Sequence, residues 1–123
     1  MATPLICVVD DDHSVRESLA RLIRSVGYAV HVFDSAEAFL RAGPGRRPDC
    51  LILDIRMPGM NGLELQRLLS ASDPDLPVIF ITAHALDEEV RARALGAGAV
   101  DYLLKPLRED EVLKAINAAL SSK

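Results

Sequence analysis

Short apolar runs alternate with longer segments of helical period along this chain. Residues 5–9, 29–33, 50–53, 78–81 and 100–104 form the runs, rich in Val and Ile, and each is too short for an ordinary helix. Three of them lack the in/out alternation of a half-exposed strand, which predicts strands buried on both faces of a parallel sheet. Between them, Leu19, Leu22, Ile23 and Val26 make one apolar stripe, Leu63, Leu65, Leu68 and Leu69 a second, and Val112, Leu113, Ile116 and Leu120 a third. Each stripe can cover a sheet. Gly27 is placed to end the first helix, Ser35 to cap the second, Gly43-Pro44-Gly45 to end it, and Gly96 and Gly98 to close the fourth. The alternation predicts the α/β class: a single domain over 1–123, built as five βα units on one doubly wound, five-stranded parallel sheet. The stretch 43–48 reads as a surface loop.

Composition narrows the function classes. A chain of 123 residues fits one domain, and a formal charge of -4 offers no basic face for nucleic acid. No apolar run is long enough for a bilayer, and no basic stretch followed by a short apolar one opens the chain, so a soluble, cytoplasmic protein is expected, with no membrane partner. Cys7 and Cys50 sit within apolar runs and read as buried thiols in a reducing compartment. His13, His31 and His84 have no partner at zinc-ligand spacing.

In a parallel sheet the C-terminal strand ends share one edge, and ligands bind in the crevice there. The first run exits into Asp10-Asp11-Asp12, the third into Asp54, the fourth into Thr82 and the fifth into Lys105-Pro106. Carboxylates, a hydroxyl and an ammonium therefore converge on one side.

The same residues lie in segments with a family likeness. VVDDD at 8–12, LILDIRMPGMNG at 51–62, FITAH at 80–84 and DYLLKP at 101–106 resemble the motifs of response regulator receiver domains of the CheY-like superfamily, nearest to the FixJ type. The resemblance covers essentially the whole chain. It implies a (βα)5 flavodoxin-like fold with strand order 2-1-3-4-5 and a two-component signalling switch. Such a switch is no enzyme in the ordinary sense, since it catalyses only its own phosphorylation and dephosphorylation. By the same resemblance Asp54 is the phosphoacceptor, served by a histidine kinase or histidine phosphotransfer protein. Asp10 and Asp11 join Asp54 and the backbone carbonyl of Arg56 around Mg²⁺, and Lys105 contacts the phosphoryl oxygens. Thr82 and Tyr102 form the switch pair, Arg56 and His84 tune the phosphoryl lifetime, and Pro106 occupies a cis-peptide position. A weak homodimer through the fourth helix, fifth strand and fifth helix, including Glu88, Arg91 and Asp101, is also implied.

Elementary electrostatics agrees with that assignment. Two like charges about 5 Å apart at an effective dielectric of about 20 repel by roughly 3 kcal/mol, so Asp10, Asp11 and Asp54 in one crevice call for a cation. Hard oxygen ligands without Cys or His favour Mg²⁺ or Mn²⁺. A carboxylate can attack phosphorus to give an acyl phosphate. Asp54 is expected to need no unusual pKa, because the ionised form is the ordinary one at neutral pH.

Blander roles compete at some positions. Asp12, just before the first helical stripe, reads as a helix cap, although Ser14 with Glu17 makes a rival capping box. Glu109, Asp110 and Glu111 suit the first turn of a helix, and Arg108 stands where the family often carries a small capping residue. Tyr102 could serve packing alone. Two other functions use the same features. A phosphatase of the haloacid-dehalogenase kind also forms an aspartyl phosphate, but needs a second aspartate two residues on, where this chain has Arg56. A degenerate receiver serving only as an interaction module would have lost acidic or lysine positions, and none is lost.

Overall fold

A computed structural model describes residues 3–42, 45–83, 88–96 and 98–121. Among these, strands β1 (Leu5–Val9), β2 (Ala29–Phe33), β3 (Cys50–Asp54), β4 (Val78–Thr82) and β5 (Asp101–Leu104) alternate with helices α1 (His13–Ser25), α2 (Ala36–Arg41), α3 (Gly62–Ser72), α4 (Glu88–Gly96) and α5 (Glu109–Ser121). The strands pair in parallel in the order β2-β1-β3-β4-β5, as expected. β1, β3 and β4 are buried at every position, whereas the edge strands β2 and β5 are only partly covered.

Two cores lie on opposite faces of the sheet. Ile6, Val8, Cys50, Ile52, Ile79 and Ile81 meet Leu19 and Ile23 of α1 and Val112, Ala115, Ile116 and Ala119 of α5. The alternate strand residues Leu5, Cys7, Val9, Leu51, Leu53, Val78 and Phe80 meet Ala36 of α2, Leu65 of α3 and Ala94 of α4. The period-two alternation of facing is therefore real, but hidden in the sequence because both faces demand apolar residues.

Three stripe residues, Val26, Leu68 and the half-buried Leu113, fall outside these cores. Val26 is 43% exposed and Leu68 51% exposed. Val26 is the C-cap of α1, where the chain turns away through Gly27 at φ +90°. On α3 the buried stripe runs through Gly62, Leu65, Gln66 and Leu69. At about 100° per residue Leu68 projects well to one side of it.

The helix starts are held by side chains. Asp12 caps α1, accepting from Ser14 N at 2.8 Å and Val15 N at 3.4 Å, and so prevails over the Ser14 and Glu17 alternative. Ser35 caps α2 through Ala38 N. Asn61 and Glu64 form a reciprocal capping box on α3 that the pattern of hydrophobic positions did not flag. α2 stops at Arg41 with Ala42 as its cap, ahead of Gly43 and Pro44, which lie outside the described residues. Arg108 leaves the start of α5 intact: its carbonyl accepts from Val112 N, and its guanidinium lies near Asp110 and Glu111. Cys7 and Cys50 are buried thiols, and burial pushes Cys7 up to about 11. No helix among the described residues is long and apolar enough to cross a membrane.

Candidate functional site

The parallel register brings the ends of β1, β3, β4 and β5 to one edge, and the polar residues follow directly from it. Asp10 leaves β1 fully buried. Its N–H donates to Phe33 O at 3.1 Å, its carbonyl accepts from Arg16 Nη1 at 2.7 Å, and its Oδ1 accepts from Asp12 N at 2.8 Å. Asp11 beside it is exposed. Asp54 is the last residue of β3 and 3% exposed. One carboxylate oxygen from each of Asp10, Asp11 and Asp54 lies within 4.8 Å of the others.

β5 supplies the countercharge. Lys105, held by its N–H to Thr82 O at 2.8 Å, places Nζ 2.9 Å from Asp10 Oδ2 and 3.5 Å from Asp54 Oδ2. The peptide bond from Lys105 to Pro106 is cis, as the family likeness implied. Thr82 ends β4 fully buried. Tyr102 pairs with Phe80, two residues before Thr82, and packs against the same core as Phe80. Two-residue periodicity thus directs Thr82 and Tyr102 to the same face of the sheet, an arrangement compatible with a coupled pair. His84 lies outside the described residues.

The loop after β3 is tied at both ends. Ile55 N donates to Ile81 O at 3.1 Å, and Gly62 N donates to Ile55 O at 2.9 Å. A Cβ on Gly62 would stand 2.3 Å from Asp54 O, so only glycine allows α3 to begin this close to the end of β3. Within the loop, Arg56 N donates to Asp54 Oδ1 at 3.3 Å with its side chain exposed, and Met60 N donates to Glu37 Oε2 at 2.9 Å.

Charge in this crevice departs from expectation at one residue. Burial pushes Asp54 up to about 7, helped by repulsion from Asp10 and opposed by Lys105 and the Arg56 N–H. The expectation of an ordinary pKa for Asp54 is corrected accordingly, because a carboxylate this deeply buried at a strand end loses the hydration that it normally keeps. For Lys105 burial disfavours the charged form, but the partnership with Asp10 and Asp54 outweighs it and the net shift is upward.

The clustered donors are all carboxylate oxygens, a set that fits a hard divalent cation and not a zinc-type ion. Asp10, Asp11 and Asp54 could hold it, with the cation contesting Asp10 against Lys105. The sequence reading gave no role to Arg16, Glu37 or Gly62, whose contacts with Asp10, Met60 and Asp54 exist only in the fold.

The profile of the response regulator receiver domain matches residues 6–117. The response regulator TodT of Pseudomonas putida is 47% identical over 116 residues, 94% of this chain and 51% of TodT. The transcriptional regulatory protein FixJ of Bradyrhizobium diazoefficiens is 40% identical over 115 residues, 94% of this chain and 56% of FixJ. The chain thus spans about half the length of the curated relatives it matches. Among solved structures, response regulator StyR superposes with a TM-score of 0.84 at 48% identity, covering 98% of this chain and 60% of that one. The FixJ-N structure superposes at 0.85 with 40% identity, covering 98% and 96%. With one profile spanning most of the sequence and the same architecture in relatives of this identity, the chain belongs to the response regulator receiver domain family.

Proposed function

We propose that Asp54 is the residue through which this receiver takes up a phosphoryl group, from the phosphohistidine of a histidine kinase or phosphotransfer protein. The observation that carries the reading is the place of Asp54 at the end of β3, its carboxylate clustered with those of Asp10 and Asp11 and 3.5 Å from Lys105. The bond from phosphorus to the donor imidazole breaks as Asp54 forms its bond to phosphorus. A Mg²⁺ or Mn²⁺ held by Asp10, Asp11, Asp54 and the Arg56 carbonyl would neutralise charge on the transferring group. Lys105 supplies a compact positive charge for the phosphoryl oxygens. Since Asp54 is held near 7, its countercharges also draw it into the ionised, nucleophilic form. The phosphatase alternative lacks its acid/base at Arg56, and the degenerate-module alternative is disfavoured because carboxylates and lysine come together. The chain is a switch whose only chemistry is its own modification, and its buried thiols suit a reducing cytoplasm.

Thr82 and Tyr102 carry the signal outward in this reading, while Arg56 and His84 set the lifetime of the acyl phosphate. A weak homodimer through α4, β5 and α5 is the associated output surface. Leu104, 51% exposed on the edge strand β5, offers it an apolar contact, and the segment binds neither nucleic acid nor membrane. Intact-protein mass spectrometry after treatment with acetyl phosphate and Mg²⁺ tests the central step. One added phosphoryl group is expected in the parent and none in Asp54→Asn, whose amide is not a nucleophile. Equal labelling of both would refute the assignment.

A further inference from the structure

We propose that Glu37 is a positioning residue for the metal and phosphoryl site, acting through the loop that joins β3 to α3. The inference rests on the reading of Asp10, Asp11, Asp54 and the Arg56 carbonyl as metal ligands. The base of that loop is locked by Ile55 and Gly62, but these contacts hold its two ends and not its middle. Arg56 is exposed and its N–H reaches Asp54 only at 3.3 Å. Met57, bonded to the Arg56 carbonyl, packs its side chain into the core and holds the near limb, so the remaining freedom of that carbonyl's direction lies in the far limb, 58–60.

Glu37 provides that hold from across the sheet edge. Its Oε2 accepts from Met60 N at 2.9 Å, and a Cβ on Gly59 would stand 2.7 Å from the same oxygen. Gly59 therefore serves twice, taking the φ of +76° that the turn requires and leaving room for the carboxylate. Met60 also packs its side chain against the core, so the limb is fastened on both sides. The other end of the tether is firm: Ala36 is fully buried, and Ser35 caps α2 through Ala38 N. The Met60 N–H holds the Glu37 carboxyl below the usual carboxylate range, so the acceptor is an ionised one, the stronger kind of hydrogen bond. A first-turn acid serving only the helix dipole would need no such contact across to another element.

Metal binding to the folded chain tests this directly. Mn²⁺ affinity is read from the electron paramagnetic resonance signal of the free ion, and acetyl phosphate labelling is measured against Mg²⁺ concentration. Glu37→Ala is expected to weaken Mn²⁺ binding and raise the half-saturating Mg²⁺ by about three- to tenfold, the size of one hydrogen bond at a partly solvent-exposed position, with the rate at saturating Mg²⁺ within about twofold of the parent. Glu37→Gln lacks the charge but keeps an oxygen acceptor, so recovery of most of the affinity separates the hydrogen bond from a field effect. Glu37→Asp keeps the charge but is one methylene short of Met60 N, and should weaken binding as Ala does. It also serves if Glu37→Ala does not fold. Glu64→Ala, which breaks the neighbouring capping box, should leave affinity unchanged. Parent-like Mn²⁺ binding by Glu37→Asp, or an equal loss in Glu64→Ala, would overturn the inference while parent labelling at Asp54 still stood. A parent chain that bound no Mn²⁺ would overturn it together with the metal site.

Discussion

The Lys105 ammonium lies 2.9 Å from the fully buried carboxylate of Asp10, an ion pair set inside the cluster proposed to hold a metal. The lysine and a divalent cation would therefore compete for the same oxygen. Lys105→Met removes the charge while keeping much of the stem, and two opposite effects are expected. Mn²⁺ binding should tighten severalfold because a rival cation is gone, whereas labelling of Asp54 at saturating Mg²⁺ should slow at least about tenfold because the phosphoryl oxygens lose a positive partner. A resonance titration and a labelling time course check the two halves separately, and weaker Mn²⁺ binding would remove the competition.

Asp54 gives a pH dependence of definite sign. Its pKa rises on folding from the ordinary carboxylate range to about 7, so the folded chain binds more protons than the unfolded one between these values. Stability from this group is therefore lost as pH rises through that window, and the penalty is complete above pH of about 7. Asp54→Asn should be more stable than the parent by about 2 to 4 kcal/mol at pH 8, and by clearly less at pH 5. Urea denaturation of both proteins at the two pH values, without divalent cations, measures the difference. A constant gap would contradict the raised pKa.

Neighbouring aspartates should separate cleanly by role. Asp12 spends its carboxylate on Ser14 N and Val15 N, so Asp12→Ala should lower stability by about 1 kcal/mol and leave Mn²⁺ affinity nearly unchanged. Asp11→Ala should do the reverse, weakening the metal at least about tenfold with little change in melting. Equal effects on metal binding would deny Asp11 its place as a ligand.

Thr82 and Tyr102 share a face of the sheet at neighbouring strands, which leads to an uncoupling variant. Thr82→Ala should still be labelled at Asp54 but lose the shift in monomer-dimer balance that a phosphoryl mimic such as beryllofluoride produces in the parent. Exposed contacts contribute about 0 to 1 kcal/mol each, so the parent's shift should be modest. Sedimentation velocity compares the two proteins, and a parent indifferent to the mimic would remove the dimer from the mechanism.

How much of this was legible beforehand depended on the range of the interaction. Strand positions followed from short Val- and Ile-rich runs, because a sheet covered on both faces accepts nothing else. The strand-end residues Asp10, Asp54, Thr82 and Lys105 followed from those positions, since a parallel sheet gathers all its C-terminal ends at one edge. The capping role of Asp12 was likewise local. The order of the strands came from family likeness, as apolar periodicity carries no information about which strand neighbours which.

Tertiary packing alone decided the rest. Leu68 has the composition of a core residue, but the direction of α3 over the sheet leaves it exposed. Gly62 looks like any glycine before a helix until the backbone of Asp54 is found against it. Asp54 titrates far from its ordinary value because burial and Asp10 act on it together, and neither is encoded at position 54. Glu37 and Met60, 23 residues apart, meet only because α2 and the loop after β3 are laid over the same face of the sheet. Short-range pattern thus determined the elements and the ends that bear the chemistry, while hydration, proton affinity and the bracing of that chemistry arose from contacts that exist only once the chain is folded.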